Sequence, residues 1–224
     1  MASQKLSVFS ISVKPGIPWD SLIGNLLSKA KDGEHYYISE QSQDYIGGCY
    51  IMTAKHSQLR YNASEQIFES VLIERQHVLK FDIFIRSGFM MMWGNSKISS
   101  MFITAITQAS NNLAIIENRE IDYIEMLKRL IVCDDVQFIR MKICDVVIED
   151  GVVANCSVSL DGRENVDYLI KKYMKKISQI SIKIVCGVDT TSAILYSTGA
   201  ITICKNRDNI SDLVIDRISR IIGG

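Results

Sequence analysis

Apolar and polar positions change period several times along this chain. Residues 78–85 (VLKFDIFI) are rich in β-branched and aromatic side chains, which suits a strand. Ser87-Gly88 follows as a turn signal, because glycine reaches positive φ at no steric cost. Residues 89–93 predict a second strand, and Gly94-Asn95-Ser96 breaks it with Asn95 or Ser96 placed to cap a helix. Ile98, Met101, Phe102, Ala105 and Ile106 then recur at helical spacing. The same phrase returns near the C-terminus. A strand at 193–196, a turn at Ser197-Thr198-Gly199 and a strand at 200–205 lead to a helix with Ile210, Leu213, Val214, Arg217, Ile218 and Ile221 on one stripe. Gly88 matches Gly199 and Asn95 matches Asn206, so the pattern predicts two copies of one unit.

The remaining elements follow from the same reading. A strand at 5–13 precedes an amphipathic helix at 19–31, with Trp19, Leu22, Ile23, Leu26 and Leu27 inward and Asp32-Gly33 as its stop. A short strand is expected at 36–39 and a longer one at 45–55. Residues 56–66 are polar and read as a loop or strand tip, 67–74 as a strand, and Arg75-Gln76 as a turn. A helix at 121–132 comes next. Strands at 136–148 and 152–160 flank Glu149-Asp150-Gly151, a hairpin signal. Asp161-Gly162 leads to a helix at about 164–178 whose basic face carries Lys171, Lys172, Lys175 and Lys176, and a strand at 180–188 follows. The fold class expected is α+β, a pseudo-duplicated curved antiparallel sheet with helices on its convex face and its other face free. Residues 1–110 would form the first repeat, 111–149 a connector with one helix and a strand, and 150–224 the second.

The 25 basic and 25 acidic residues cancel, which argues against binding polyanions by bulk charge while leaving room for a basic face. Six cysteines without a C-x-x-C spacing read as small apolar residues in a reducing compartment. No signal pattern and no long apolar run is present, so an intracellular protein, cytoplasmic or nuclear and without a membrane partner, is expected. The three histidines, His35, His56 and His77, lie far apart in sequence without zinc spacing. Phosphate-loop, dinucleotide and nucleophile-elbow motifs are missing. Asp134-Asp135 and Glu149-Asp150 sit at turns, where solvation alone explains them. The expectation is a protein that is not an enzyme, with no cofactor and no metal.

Ile83-Phe84-Ile85-Arg86-Ser87-Gly88 with Gly94, and Ile194-Leu195-Tyr196-Ser197-Thr198-Gly199, resemble the half-saddle phrase of the TATA-box-binding protein family. Val153 to Asp161, with Asn155, is similar to that family's first strand, where the first half has Ser7, and Tyr45-Ile46-Gly47 resembles the opening of its third. The chain departs from the pattern at Phe89 and Ala200, where the family has lysine, and at Lys205, where it has glycine. The resemblance implies a non-enzymatic protein of the transcription-initiation type that binds A·T-rich double-stranded DNA in the minor groove. Ile85, Tyr196 and Tyr45 would be wedges, Ser7 and Asn155 groove contacts, and Arg86, Arg140 and Lys142 phosphate contacts. Protein partners would sit on the convex helices, at Lys171, Lys172, Lys175 and Lys176. The alternative is a protein-interaction subunit of a larger complex that keeps the fold without DNA contacts, and a third, less favoured, is an enzyme whose site is built from scattered residues.

Overall fold

The computed structural model describes residues 3–15, 17–160 and 163–223. The expected lead-in at Asp161-Gly162 lies outside the described residues. Among them the chain is α+β, with five α-helices and an open antiparallel sheet of eleven strands. It divides into two compact units. One is Val8–Asn118; the other joins Ser7 and the residues before it to the chain from Arg119 onward. Strand β1 (Gln4–Val13) contributes to both.

The first unit continues with α1 (Trp19–Ser28), β2 (Glu34–Gln41), β3 (Tyr45–Asn62), β4 (Ile67–Phe84), β5 (Phe89–Trp93), α2 (Ser96–Ala109) and β6 (Ala114–Asn118). Its strand order is β2-β3-β4-β5-β1, and β6 pairs with Phe9 to Val13 of β1. Leu79, Phe81 and Ile83 of β4, Met90 and Met92 of β5, and Ile46 and Tyr50 of β3 alternate onto one face. There they pack against Leu22, Ile23, Ile98 and Phe102 of the two helices. The Phe81 and Phe102 rings stack at 4.5 Å, which centres the core on α2. Asn95 caps that helix, its side chain accepting the Ile98 amide at 3.1 Å. Gly48 is required where β3 pairs with β2, because a Cβ there would clash with the Tyr37 carbonyl oxygen.

The longest element was the least legible. β3 and β4 are 18 residues each and pair without interruption from Tyr45↔Phe84 to Asn62↔Ile67. The polar stretch at 56–66 is therefore mostly strand, and Arg75-Gln76 is strand interior, paired with Ala54 and Thr53. Polar residues are tolerated because β2 reaches only Met52 and β5 only Lys80, so beyond His56 the hairpin is a ribbon whose residues are nearly all exposed. Leu27, expected inward, is 48% exposed, since the α1 stripe is filled by Leu22, Ile23 and Leu26.

The second unit holds α3 (Tyr123–Val132), β7 (Val136–Glu149), β8 (Val152–Ser159), α4 (Arg163–Tyr173), β9 (Ile177–Cys186), β10 (Asp189–Tyr196), β11 (Ile201–Ile203) and α5 (Asp212–Gly223). A short 3-10 turn, Met174–Lys176, closes the predicted helix early. The order is β11-β10-β9-β7-β8, and Gln4 to Leu6 of β1 pair with β11. Ile182, Ile184, Ala193, Leu195, Ile201 and Ile203 face Ile218, Ile221 and Ile222 of α5. α4 lies against β7, and α3 against α4 and α5. Leu213, expected on the α5 stripe, is 68% exposed.

The two glycine turns are built alike. Gly88 and Gly199 have φ of +62° and +79°. Their amides close the turns onto the Ile85 and Tyr196 carbonyls at 3.3 and 2.9 Å. The strands before α1 and before α4 are placed differently. β1 has neighbours on both sides, whereas β8 is an edge strand paired only with β7.

Candidate nucleic-acid interface

The second unit turns one sheet face away from its three helices. Alternation decides what that face carries. In β9, Ile180, Ile182 and Ile184 point into the core, so Gln179, Ser181 and Lys183 point the other way. In β10 the same rule turns Thr190, Ser192, Ile194 and Tyr196 outward, and in β11 Thr202. Lys5 pairs with Thr202 and shares its side, as does Ser7. A bulge near Ile139 resets β7, so that Arg140 pairs with Ser181 on β9 and Ser159 on β8. Lys142 likewise pairs with Gln179 and Ser157. Asn155 follows in β8 on the same side as Ser157.

Five residues expected from the sequence to touch DNA thus converge on one face: Ser7, Arg140, Lys142, Asn155 and Tyr196. Arg140, Lys142 and Asn155 are exposed; Ser7 and Tyr196 are half-buried. Asn155 also serves its own strand, its side-chain oxygen accepting the Asp145 amide at 3.2 Å across a bulge. Lys5 and Lys183 complete the cationic set. Sequence reasoning missed both, although the alternation Ile180, Ile182, Ile184 against Ser181, Lys183 was there to be read. None of the strand residues that alternate onto this face is an aspartate or glutamate. Among the described residues no ion pair engages Lys5, Arg140, Lys142 or Lys183.

No family model and no curated protein matches this chain. The site is thus characterised by its geometry.

The other expected contacts lie elsewhere. Ile85 is partly buried against the core of the first unit, on the α1 and α2 side. Arg86 forms an ion pair with Asp44 at 2.7 Å. The Tyr45 hydroxyl donates to Asp82 at 2.5 Å, and its ring meets Phe84 edge-on at 5.5 Å. Asp82, 1% exposed, also accepts from the indole N–H of the buried Trp93 at 2.5 Å. Of the α4 lysines, Lys171 pairs with Asp167 at 2.6 Å. The Lys172 ammonium lies over the Tyr168 and Tyr173 rings at 5.4 and 5.2 Å. Lys176 donates to the Asp145 carbonyl at 2.7 Å.

The six cysteines are free thiols, each half-buried. Burial pushes the Cys49 thiol up, against a smaller opposing pull from Lys80. Burial also raises the Cys186 thiol, with Asp135 adding to it. Raised thiols carry little thiolate and are weak nucleophiles. Among the described residues no helix is long and apolar enough to cross a membrane.

Proposed function

We propose that the chain binds DNA without catalysing a reaction, laying the acid-free face of its second unit on the duplex as a divergent relative of TATA-box-binding proteins would. The observation that carries this is the segregation of charge. A chain with 25 basic and 25 acidic residues puts Lys5, Arg140, Lys142 and Lys183 on one sheet face with no carboxylate among them. The cations supply phosphate contacts, which fix position without reading sequence. Asn155 and the serine and threonine hydroxyls between them match the acceptors that A·T pairs show in the minor groove. Tyr196 offers a ring that can press on a base. The paired glycine turns at Gly88 and Gly199 support the kinship. Ile85, partly buried against the core of the first unit, is not counted among the contacts of this face.

Fluorescence anisotropy on an A·T-rich duplex over a range of salt tests the proposal. Four phosphate contacts give a slope of log K against log salt of roughly −3.6, at about 0.9 per contact. The double variant Arg140→Gln with Lys142→Gln should flatten that slope by roughly 2 and bind at least about tenfold more weakly at low salt. No binding by the unmodified chain at low salt ends the reading.

A second reading, a protein-interaction subunit, has one observation in its favour. Leu59, Phe68 and Leu72 are each 70% exposed and Tyr61 52% on the β3–β4 ribbon. Register puts all four on the same side. Clustered exposed apolar residues of this kind mark binding surfaces. Replacing all four by serine or threonine removes partner capture under this reading and leaves DNA affinity unchanged.

A further inference from the structure

Where the ribbon leaves the sheet of the first unit, His56 and His77 meet on one face. Register pairs His56 with Ile73 and His77 with Met52, so the two imidazoles share one face, four residues apart along the ladder, and reach toward each other. Their Nε2 atoms are 3.5 Å apart and the rings lie edge to face, centroids 5.8 Å apart. At a metal–nitrogen distance of 2.0–2.1 Å, two nitrogens so spaced subtend about 120° at a shared ion, close to trigonal or tetrahedral ligation. His56 and His77 line a cavity of about 90 Å³, and so do Met52 and Met101, whose side chains carry thioether donors. Met101 comes from α2 and Met52 from β3, so strand and helix each bring one sulfur-bearing side chain to the histidine pair.

We propose that this cavity is a binding site for a soft monovalent d10 cation, copper(I) in a cell and silver(I) as its laboratory surrogate. Two imidazoles and two thioethers form the donor set that favours such an ion. The surroundings agree with the low charge. The remaining walls are Ala54, Asn95, Ile98 and Lys97, no carboxylate lines the cavity, and the Lys97 ammonium opposes a divalent ion about twice as strongly as a monovalent one. A hard divalent ion would find no carboxylate there, and the one side-chain oxygen donor in the lining, that of Asn95, already accepts the Ile98 amide. Among the described residues no three histidine, cysteine or carboxylate side chains gather to hold an ion, so the thioethers are the donors that complete this set.

The test is a silver nitrate titration of the full chain, read by NMR on methionine methyl groups and histidine ring protons. Site-resolved signals separate this cavity from the free thiols, which also take silver. The expected result is a joint shift of the Met52 and Met101 methyls with the His56 and His77 ring signals, saturating at one ion for that set, while the other methionines stay in place. His77→Gln and Met101→Leu should each weaken the joint shift at least tenfold, and unmoved signals from the remaining methionines report that the variants are folded. Met52 and Met101 signals that stay fixed through eight equivalents of silver overturn the proposal. So does an unchanged response in His77→Gln, or a zinc titration that moves the histidines more tightly than silver does.

Discussion

At the scale of single residues, Asp82 shows what alternation demands and what it hides. The run VLKFDIFI predicts a strand from its apolar content, and its one aspartate carries no local sign of a partner. The side chain is 1% exposed and accepts from both the Tyr45 hydroxyl and the Trp93 indole. A carboxylate buried on a sheet face is stable only with such donors, and Tyr45 and Trp93 arrive from neighbouring strands that the sequence does not show to be adjacent. Asp82→Ala leaves two donors without this acceptor and should cost about 3–5 kcal/mol. Tyr45→Phe keeps the indole contact and should cost about 2 kcal/mol, as for a hydrogen bond to a charged group. Urea unfolding followed by circular dichroism measures both, and equal losses for the two variants would refute the shared-acceptor account. His56 and His77 teach the same lesson. They are twenty-one positions apart in sequence, and only the unbroken β3–β4 register brings their rings together.

At the scale of elements, local signals were legible and long-range pairing was not. Asn95 as a cap, the glycine turns, and the strand–turn–strand–helix phrase around Gly88 all stand in the structure. These depend on a few adjacent residues, which a sequence displays directly. The ribbon was misread because its outer residues bury nothing, so the two-residue hydrophobic period that marks a strand fades there. That independence has a consequence. Beyond Thr53 and Gln76 the two strands pair only with each other. Excising 55–74 and joining Ala54 to Arg75 through Asn-Gly restores a two-residue hairpin at an existing cross-strand pair. The core formed by Phe81, Phe102, Tyr50 and Leu79 is untouched. The shortened chain should therefore unfold within about 1 kcal/mol of the original, since exposed segments away from packed features contribute little. It should also lose silver binding at the cavity, because His56 goes with the ribbon. A loss of several kcal/mol would mean that the ribbon carries the unit's stability.

At the scale of the whole molecule, the open question is whether charge acts in bulk or by placement. The sequence gives a formal net charge of zero, and that number alone argued against a polyanion partner. The structure separates two groups of cations that the number merges. Lys171, Lys172 and Lys176 on α4 and the turn after it are engaged with Asp167, tyrosine rings and a carbonyl. Lys5, Arg140, Lys142 and Lys183 share a sheet face with no acid beside them. Exposed charges more than about 10 Å apart are largely screened from one another at 0.1 M salt, so a bound duplex responds to the group it touches. Two variants set the alternatives against each other. Replacing Lys171, Lys172, Lys175 and Lys176 by glutamine removes four positive charges; replacing Arg140 and Lys142 removes two. If bulk charge governed affinity, the fourfold variant would bind DNA more weakly than the double one. Under the reading proposed here the order is reversed. The fourfold variant should keep the original salt slope, and the double variant should lose about 1.8 from it, at roughly 0.9 per phosphate contact. Parallel salt titrations of the three proteins on one A·T-rich duplex decide it, and a larger drop for the α4 variant would move the interface off the sheet and onto the helices.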